Sequence, residues 1–167
     1  MRRALTVLSP LLALAMAGCA ISQKLETYRP KNADEGAIVS TLLKIPYGIK
    51  SRALDVLLQP YAEDVYVGNF YKYLGVASPT APVSISRADL RRVYTDLFRA
   101  SKDISVDVKN FRLSVAGDHA VALATTELLL RQEGGKREER EQLYVNDVTW
   151  RLRRTAAGWK IVEEIWQ

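Results

Sequence analysis

The chain has one cysteine and one histidine in 167 residues. A lone cysteine excludes an intrachain disulfide, and in an exported protein it asks for an explanation of its own. With one of each, no metal cluster or nucleophile triad can be assembled from the usual residues, so neither a metal nor any other cofactor is expected. Charge of one sign is missing too. The 24 Lys and Arg face 19 Asp and Glu, and the signs alternate. Arg91 and Arg92 sit between Asp89 and Asp96, and Lys136 to Arg140 contains Glu138 and Glu139. Such a surface is solvated and carries no electrostatic footprint for nucleic acid. A phosphate-cradling glycine loop is also absent; Gly134-Gly135, flanked by charges, makes a turn. What remains is 48% hydrophobic and 26% charged, an ordinary composition for one folded domain with a real core.

One long apolar run stands out. Arg2 and Arg3 precede Ala4 to Ala17, which is apolar apart from Thr6, Ser9 and Pro10, and Ala17 and Gly18 are small. That is the order of a secretory signal, and it is too short to span a bilayer comfortably. The junction Leu14-Ala15-Met16-Ala17-Gly18-Cys19 resembles the bacterial lipobox, with Met16 where leucine is usual. The resemblance implies cleavage before Cys19, a diacylglycerol on its thiol and an acylated amine. Several acyl chains hold a protein on a membrane where one is marginal. The expectation is a signal peptide over 1–18 and membrane attachment through lipidated Cys19, against plain secretion with cleavage after Ala17 and a free thiol. Ala20, rather than Asp, next to the cysteine resembles the signal for outer-membrane sorting, which implies a cell-envelope protein facing the periplasm. Loss of Arg2 and Arg3 leaves 22 basic against 19 acidic residues, a mild net charge of +3.

Residues 19–33 are polar, contain Pro30 and lack a period, which predicts a tether. From 34 on, helical spacing comes first. Asp34 can cap a helix with Ile38, Leu42 and Ile45 on one face, which Pro46 and Gly48 should end or kink. Ser51 can cap a second helix, with Leu54, Leu57, Leu58 and Tyr61 on one face. Val65 to Val67 reads as a short strand, and Gly68 to Ser84 as a long irregular stretch. Ser86 and Asp89 form a capping-box pattern that opens a helix over Arg87 to Ala100. The period then changes to two. Strands are expected over 104–115, 120–131, 140–153 and 159–166, with turns at Ala116-Gly117-Asp118, Gly134-Gly135 and Ala157-Gly158. Helices followed by an antiparallel meander predict an α+β layout.

Three short motifs carry a resemblance: Tyr61-Ala62-Glu63-Asp64-Val65, Gly117-Asp118-His119-Ala120-Val121-Ala122, and Trp150-Arg151-Leu152-Arg153 followed by Gly158-Trp159-Lys160-Ile161. In this order and spacing, residues 34–167 resemble the nuclear transport factor two-like superfamily, also called SnoaL-like. The resemblance implies a cone, in which a strongly curved antiparallel sheet of cystatin-like type wraps around N-terminal helices and leaves a pocket at its wide end. It also implies a homodimer through the sheet face in many members. Isomerases, dehydratases, small-ligand binders and assembly domains share the fold, so fold does not settle function.

Alternation on the third long strand puts Tyr144, Asn146, Val148, Trp150 and Leu152 inward and Arg151 and Arg153 outward. The expected pocket is Tyr47, Tyr61, Tyr66, Tyr94, Asn146 and Trp150, suited to a small apolar ligand with one or two polar atoms. A core filled by the same side chains is the alternative. Asp64 with Tyr61 is the candidate acid-base pair, in the manner that ketosteroid isomerase-like relatives imply, against a capping role for Asp64. Glu127 and Glu163 lie in strands whose faces alternation leaves open, and Glu163-Glu164 requires only that one points each way. His119, at a hairpin tip, is not expected to be catalytic. The leading expectation is a membrane-anchored binding or assembly domain without enzymatic activity. The rival is a small acid-base enzyme of isomerase or dehydratase type.

Overall fold

Ser86 shows how closely local chemistry dictates this fold. In the computed structural model, which describes residues 23–74, 82–133 and 139–167, its hydroxyl accepts from the Asp89 amide while the Asp89 carboxylate accepts from the Ser86 amide. That reciprocal box opens helix α5, Arg87–Ala100, which buries Leu90, Tyr94 and Phe98. Ser86→Ala should lower stability by about 1 kcal/mol, readable as a downward shift of the denaturation midpoint; an unchanged midpoint would mean the box contributes nothing.

Among the described residues, three short α-helices precede the first strand. They are α1 (Ala33–Leu42), α2 (Lys44–Lys50) and α3 (Leu54–Leu58). Asn32, not Asp34, caps α1 through the Glu35 amide. Pro46 does not stop a helix. It lies in the first turn of α2, where a missing N–H costs nothing. Ser51 closes α2 rather than opening α3. Strand β1 runs Tyr61–Gly68, so Tyr61 belongs to the sheet and not to a helix. Helix α4 (Phe70–Tyr73) and the short β2 (Ser84–Ile85) occupy part of the stretch expected to be irregular.

The four long strands match expectation to within two residues at each end: β3 Asp103–Ala116, β4 His119–Glu133, β5 Glu139–Thr155 and β6 Gly158–Trp166. Gly117 supplies the left-handed φ of the first turn. The sheet has six strands in the order β2-β1-β6-β5-β4-β3. All neighbours are antiparallel except β1 and β6, which run parallel. This pairing joins Tyr61 to Ile161, a contact between distant parts of the chain that local periodicity does not carry.

Inward positions on β4 and β5 are even-numbered, from Ala120 to Leu130 and from Val148 to Leu152. On β3, Ile104, Val106 and Val108 face in, and then parity flips so that Phe111 is buried. The cause is a bulge: Asn110 sits at φ +54, and the register with β4 shifts between Lys109 and Arg112.

Residues 23–33, expected as tether, lie against β3. The Phe111 amide donates to the Gln23 carbonyl at 2.8 Å. Leu25 is buried in the core, and Tyr28 packs edge-on against Phe111. Glu35, itself buried, accepts from the Tyr28 hydroxyl and the Lys31 amide. The Lys31 amide is the main reason that the Glu35 carboxyl titrates below its ordinary range. An apolar residue every few positions (Leu25, Tyr28) was enough to seat a segment whose overall polarity suggested a free linker. The strap closes the edge of β3 at Phe111, whose backbone amide would otherwise lack this partner.

Candidate functional site

Where the sheet folds over the helices, aromatic side chains of the described residues pack closely in its interior. Trp150 from β5, Tyr94 from α5, and Phe70 and Tyr73 from α4 are each no more than 1% exposed. The Tyr73 ring stacks on Trp166 at 3.8 Å, and Phe70 packs against Tyr73, Tyr94 and Trp166. Asn69, at φ +59, turns the chain from β1 into α4, and its side-chain amide donates to the Trp166 carbonyl.

At the centre lies a carboxylate, Glu164, with no exposed surface. One oxygen accepts from the Tyr61 hydroxyl at 2.8 Å and the Trp150 indole at 2.7 Å. The other accepts from the Trp166 indole at 2.9 Å. Burial raises the Glu164 pKa above the ordinary carboxylate range, and the three donors oppose that rise. Burial also holds the Tyr61 hydroxyl far above its usual pKa, with the Glu164 charge adding to the effect. Tyr94 and Tyr73 are raised for the same first reason. The group is therefore a dry carboxylate whose two oxygens are already engaged by tyrosine and tryptophan donors.

Of the expected pocket residues, the fold brings together Tyr61, Tyr94 and Trp150. Asn146 lies half-buried nearby, its amide donating to the Tyr73 carbonyl at 3.3 Å. Tyr47 and Tyr66 do not line the interior. Tyr47 is 63% exposed, because α2 turns Ile45, Pro46 and Ile49 inward. Tyr66 is 44% exposed, because Val65 and Val67 on either side of it in β1 take the inner face. Asp64, the candidate base, is exposed on β1 and distinct from the buried carboxylate. Glu127 and Glu163 both face outward, paired with Lys109 and Arg151. His119 is exposed at its hairpin. Cys19 lies outside the described residues.

Sequence reasoning left open which of Glu163 and Glu164 turns inward, and passed over Tyr73 and Trp166. One signal was available. Trp159 and Trp166 are seven residues apart, so strict alternation cannot bury both. Both are buried, because the β5–β6 register shifts between Arg151 and Leu152 and moves the inner face from Ile161 to Glu164.

The outer face of the sheet is different in character. Leu143 and Val145 on β5, and Val121 and Leu123 on β4, are exposed. On this face a groove of about 470 Å³ is lined by polar and apolar residues together, among them Arg112, Thr125 and Asp147 with Leu123 and Val148.

Comparison with known proteins follows the geometry. The SnoaL-like domain model matches residues 65–164. No curated protein matches the sequence significantly. Among solved structures, the Kfla4162 protein of Kribbella flavida is similar with TM-score 0.67 and 14% identity, over 80% of this chain and 89% of that one. An NTF2-like protein with a cystatin-like fold from Novosphingobium aromaticivorans gives 0.59 and 18%, over 80% of each chain. A ketosteroid isomerase-like protein from Erwinia carotovora atroseptica gives 0.58 and 15%, over 81% and 95%. These identities speak for fold alone. With the family model matched over most of the sheet and both inner and outer faces in place, the chain belongs to the SnoaL-like domain family, in the NTF2-like, cystatin-like fold.

Proposed function

We propose that this protein is a membrane-anchored lipoprotein whose domain binds a partner rather than turning over a substrate. The observation that supports the non-enzymatic part is the occupied interior. Glu164 has no exposed surface, and both of its oxygens already hold donors. A general base needs reach to a substrate proton, and among the described residues buried aromatic side chains surround this carboxylate. The surface offered to a partner is the outer sheet face, with Leu143 and Val145 side by side on β5 at 59% and 54% exposure. A second copy of the chain is the partner this face suits: strands of one sheet pack on another by matching apolar positions. Leu143→Asp is then expected to shift a dimer to monomer in sedimentation at micromolar concentration. A wild-type protein that stays monomeric at any concentration removes the dimer.

Anchoring rests on the Leu14 to Cys19 junction. Cys19→Ser should move the protein from the membrane to the soluble fraction and remove the acyl mass from the intact protein. A variant that stays membrane-bound ends the anchoring reading.

A second reading is favoured by one observation, the raised Glu164 pKa beside Tyr61. A carboxyl tuned upward next to a tyrosine is the pairing that acid-base isomerisation uses, and the similar Erwinia protein is named ketosteroid isomerase-like. On this reading Glu164, not Asp64, is the acid-base group. Turnover of a ketosteroid or similar enolisable substrate that Glu164→Gln abolishes would establish it.

A further inference from the structure

The groove on the outer face, apolar at Leu123 and Val148, also carries a connected set of polar side chains. Asn110, at the β3 bulge, donates from its amide to the Thr125 hydroxyl at 3.1 Å. That hydroxyl donates in turn to one oxygen of Asp147 at 2.6 Å. The chain of bonds crosses three strands and leaves the other oxygen of Asp147, a residue lining the groove, without a hydrogen bond among the described residues. Asn110 holds a left-handed φ to take part, a backbone cost that tends to be kept where a side chain must be aimed.

Arg112 lines the same groove, is exposed, and makes no ion pair among the described residues. Its basic neighbours are already engaged, Lys24 with Asp107 and Lys109 with Glu127. Register sets the separation. Arg112 pairs with Leu123, and Leu123 with Thr149, two residues along β5 from Asp147. Two strand spacings and two residues place the Arg112 and Asp147 Cα atoms about 12 Å apart, and an arginine reaching inward shortens the gap between the charges. The groove therefore offers one uncommitted cation and one partly uncommitted carboxylate, with the amides of Gln23 and Gln167 at its rim. That is complementary to a small zwitterion.

The position of the groove along the chain says where such a zwitterion would come from. Gln23, on its rim, is fixed to β3 through the Phe111 amide. Cys19 is four residues earlier, and four residues span at most about 14 Å. An acylated Cys19 would thus hold this groove, and no other part of the sheet face by so short a link, at the surface of the bilayer.

We infer that the groove faces the bilayer and receives a phospholipid headgroup bearing both a phosphate and a primary ammonium, with Arg112 on the phosphate and Asp147 on the ammonium. The inference rests on the proposed anchoring at Cys19. It makes the domain a reader of the surface it is tied to, with its orientation on the membrane fixed by two points rather than one.

The test uses the full-length protein isolated in detergent micelles and titrated with glycerophosphoethanolamine, followed by backbone amide resonances. Saturable shifts are expected at Asn110, Arg112 and Thr149. Arg112→Ala and Asp147→Asn should each weaken the apparent affinity about tenfold; the asparagine carbonyl can still accept from Thr125, so resonances away from the groove should not change. Glycerophosphocholine should bind about tenfold more weakly, because a methylated ammonium has no proton to donate to Asp147. A groove that shows no shifts, a choline compound that binds equally well, or an Arg112→Ala variant that binds like wild type overturns the inference. Groove shifts that follow protein concentration without any probe assign the face to a second copy and also overturn it. Intact mass of the same sample separates the two layers. An acylated Cys19 with a silent groove overturns only the headgroup site. An unmodified Cys19 overturns the anchoring, and with it the bilayer as the source of the headgroup.

Discussion

Replacing Glu164 by alanine is expected to lower the unfolding midpoint by about 10 °C or more, the shift that several kcal/mol produces in a domain of this size. The substitution strands three buried donors together: the Tyr61 hydroxyl and the indole N–H groups of Trp150 and Trp166. Each orphaned donor costs roughly 1–3 kcal/mol, and a domain has only about 5–15 kcal/mol in total. Glu164→Gln should recover most of the loss. Its carbonyl can still serve Tyr61 and Trp150, and only the Trp166 indole then meets a second donor. The pair of variants also separates charge from hydrogen bonding. Because the folded protein holds the Glu164 proton more tightly than the unfolded chain does, Glu164 favours folding most at pH below the ordinary carboxylate value. That contribution is lost as pH rises from there through the raised value in the fold. Thermal melts across this window should show a decline in wild type that Glu164→Gln lacks. An alanine variant as stable as wild type would mean that the buried network holds nothing together.

Gly48→Ala should be the most damaging single-methyl change among the helices. A Cβ built at Gly48 would stand 2.6 Å from the Leu57 amide nitrogen and 2.7 Å from the Leu57 Cα and Cβ. Leu57 is fully buried and its backbone belongs to α3, so the obstruction cannot swing aside. Overpacking of this sort costs typically 1–3 kcal/mol, more than the roughly 1 kcal/mol that alanine gains over glycine inside a helix. Gly36→Ala is the natural control. In α1 the nearest atom to a new Cβ is the Pro30 side chain at 3.9 Å, so there only the helix gain remains and stability should rise. Denaturation midpoints moving in opposite directions for the two glycines would establish α2–α3 contact as the tightest joint of the helical layer. Midpoints moving together would refute it.

How much of this could be read beforehand follows from the range of each interaction. Helix α5 was legible because its signals are local: a capping box over three residues and apolar residues at helical spacing. The four long strands were legible for the same reason, since alternation and turn residues lie next to one another. Two early helices were expected where three form, because α2 runs through Pro46 and Gly48, which were expected to end or kink the first. Their boundaries depend on Asn32 and on the tight α2–α3 approach, which no periodicity announces. The pocket tyrosines divided in two. Tyr61 and Tyr94 are interior, whereas Tyr47 and Tyr66 are exposed because apolar neighbours take the inner face.

The sequence by itself determined the order of helices and strands, the antiparallel meander and the likeness to the SnoaL-like family, because those are written in spacings of a few residues. It carried the lipobox-like junction at Cys19 in the same way, as a contiguous pattern. Only the tertiary structure decided which of Glu163 and Glu164 became the buried carboxylate, which tyrosine reached it, and that Gln23 to Lys31 fastened onto the β3 edge. Those outcomes turn on two bulges and on a parallel pairing between residues 100 positions apart. One extra residue in a strand moves every later side chain to the opposite face, and where that residue is placed is settled by the packing of the whole core.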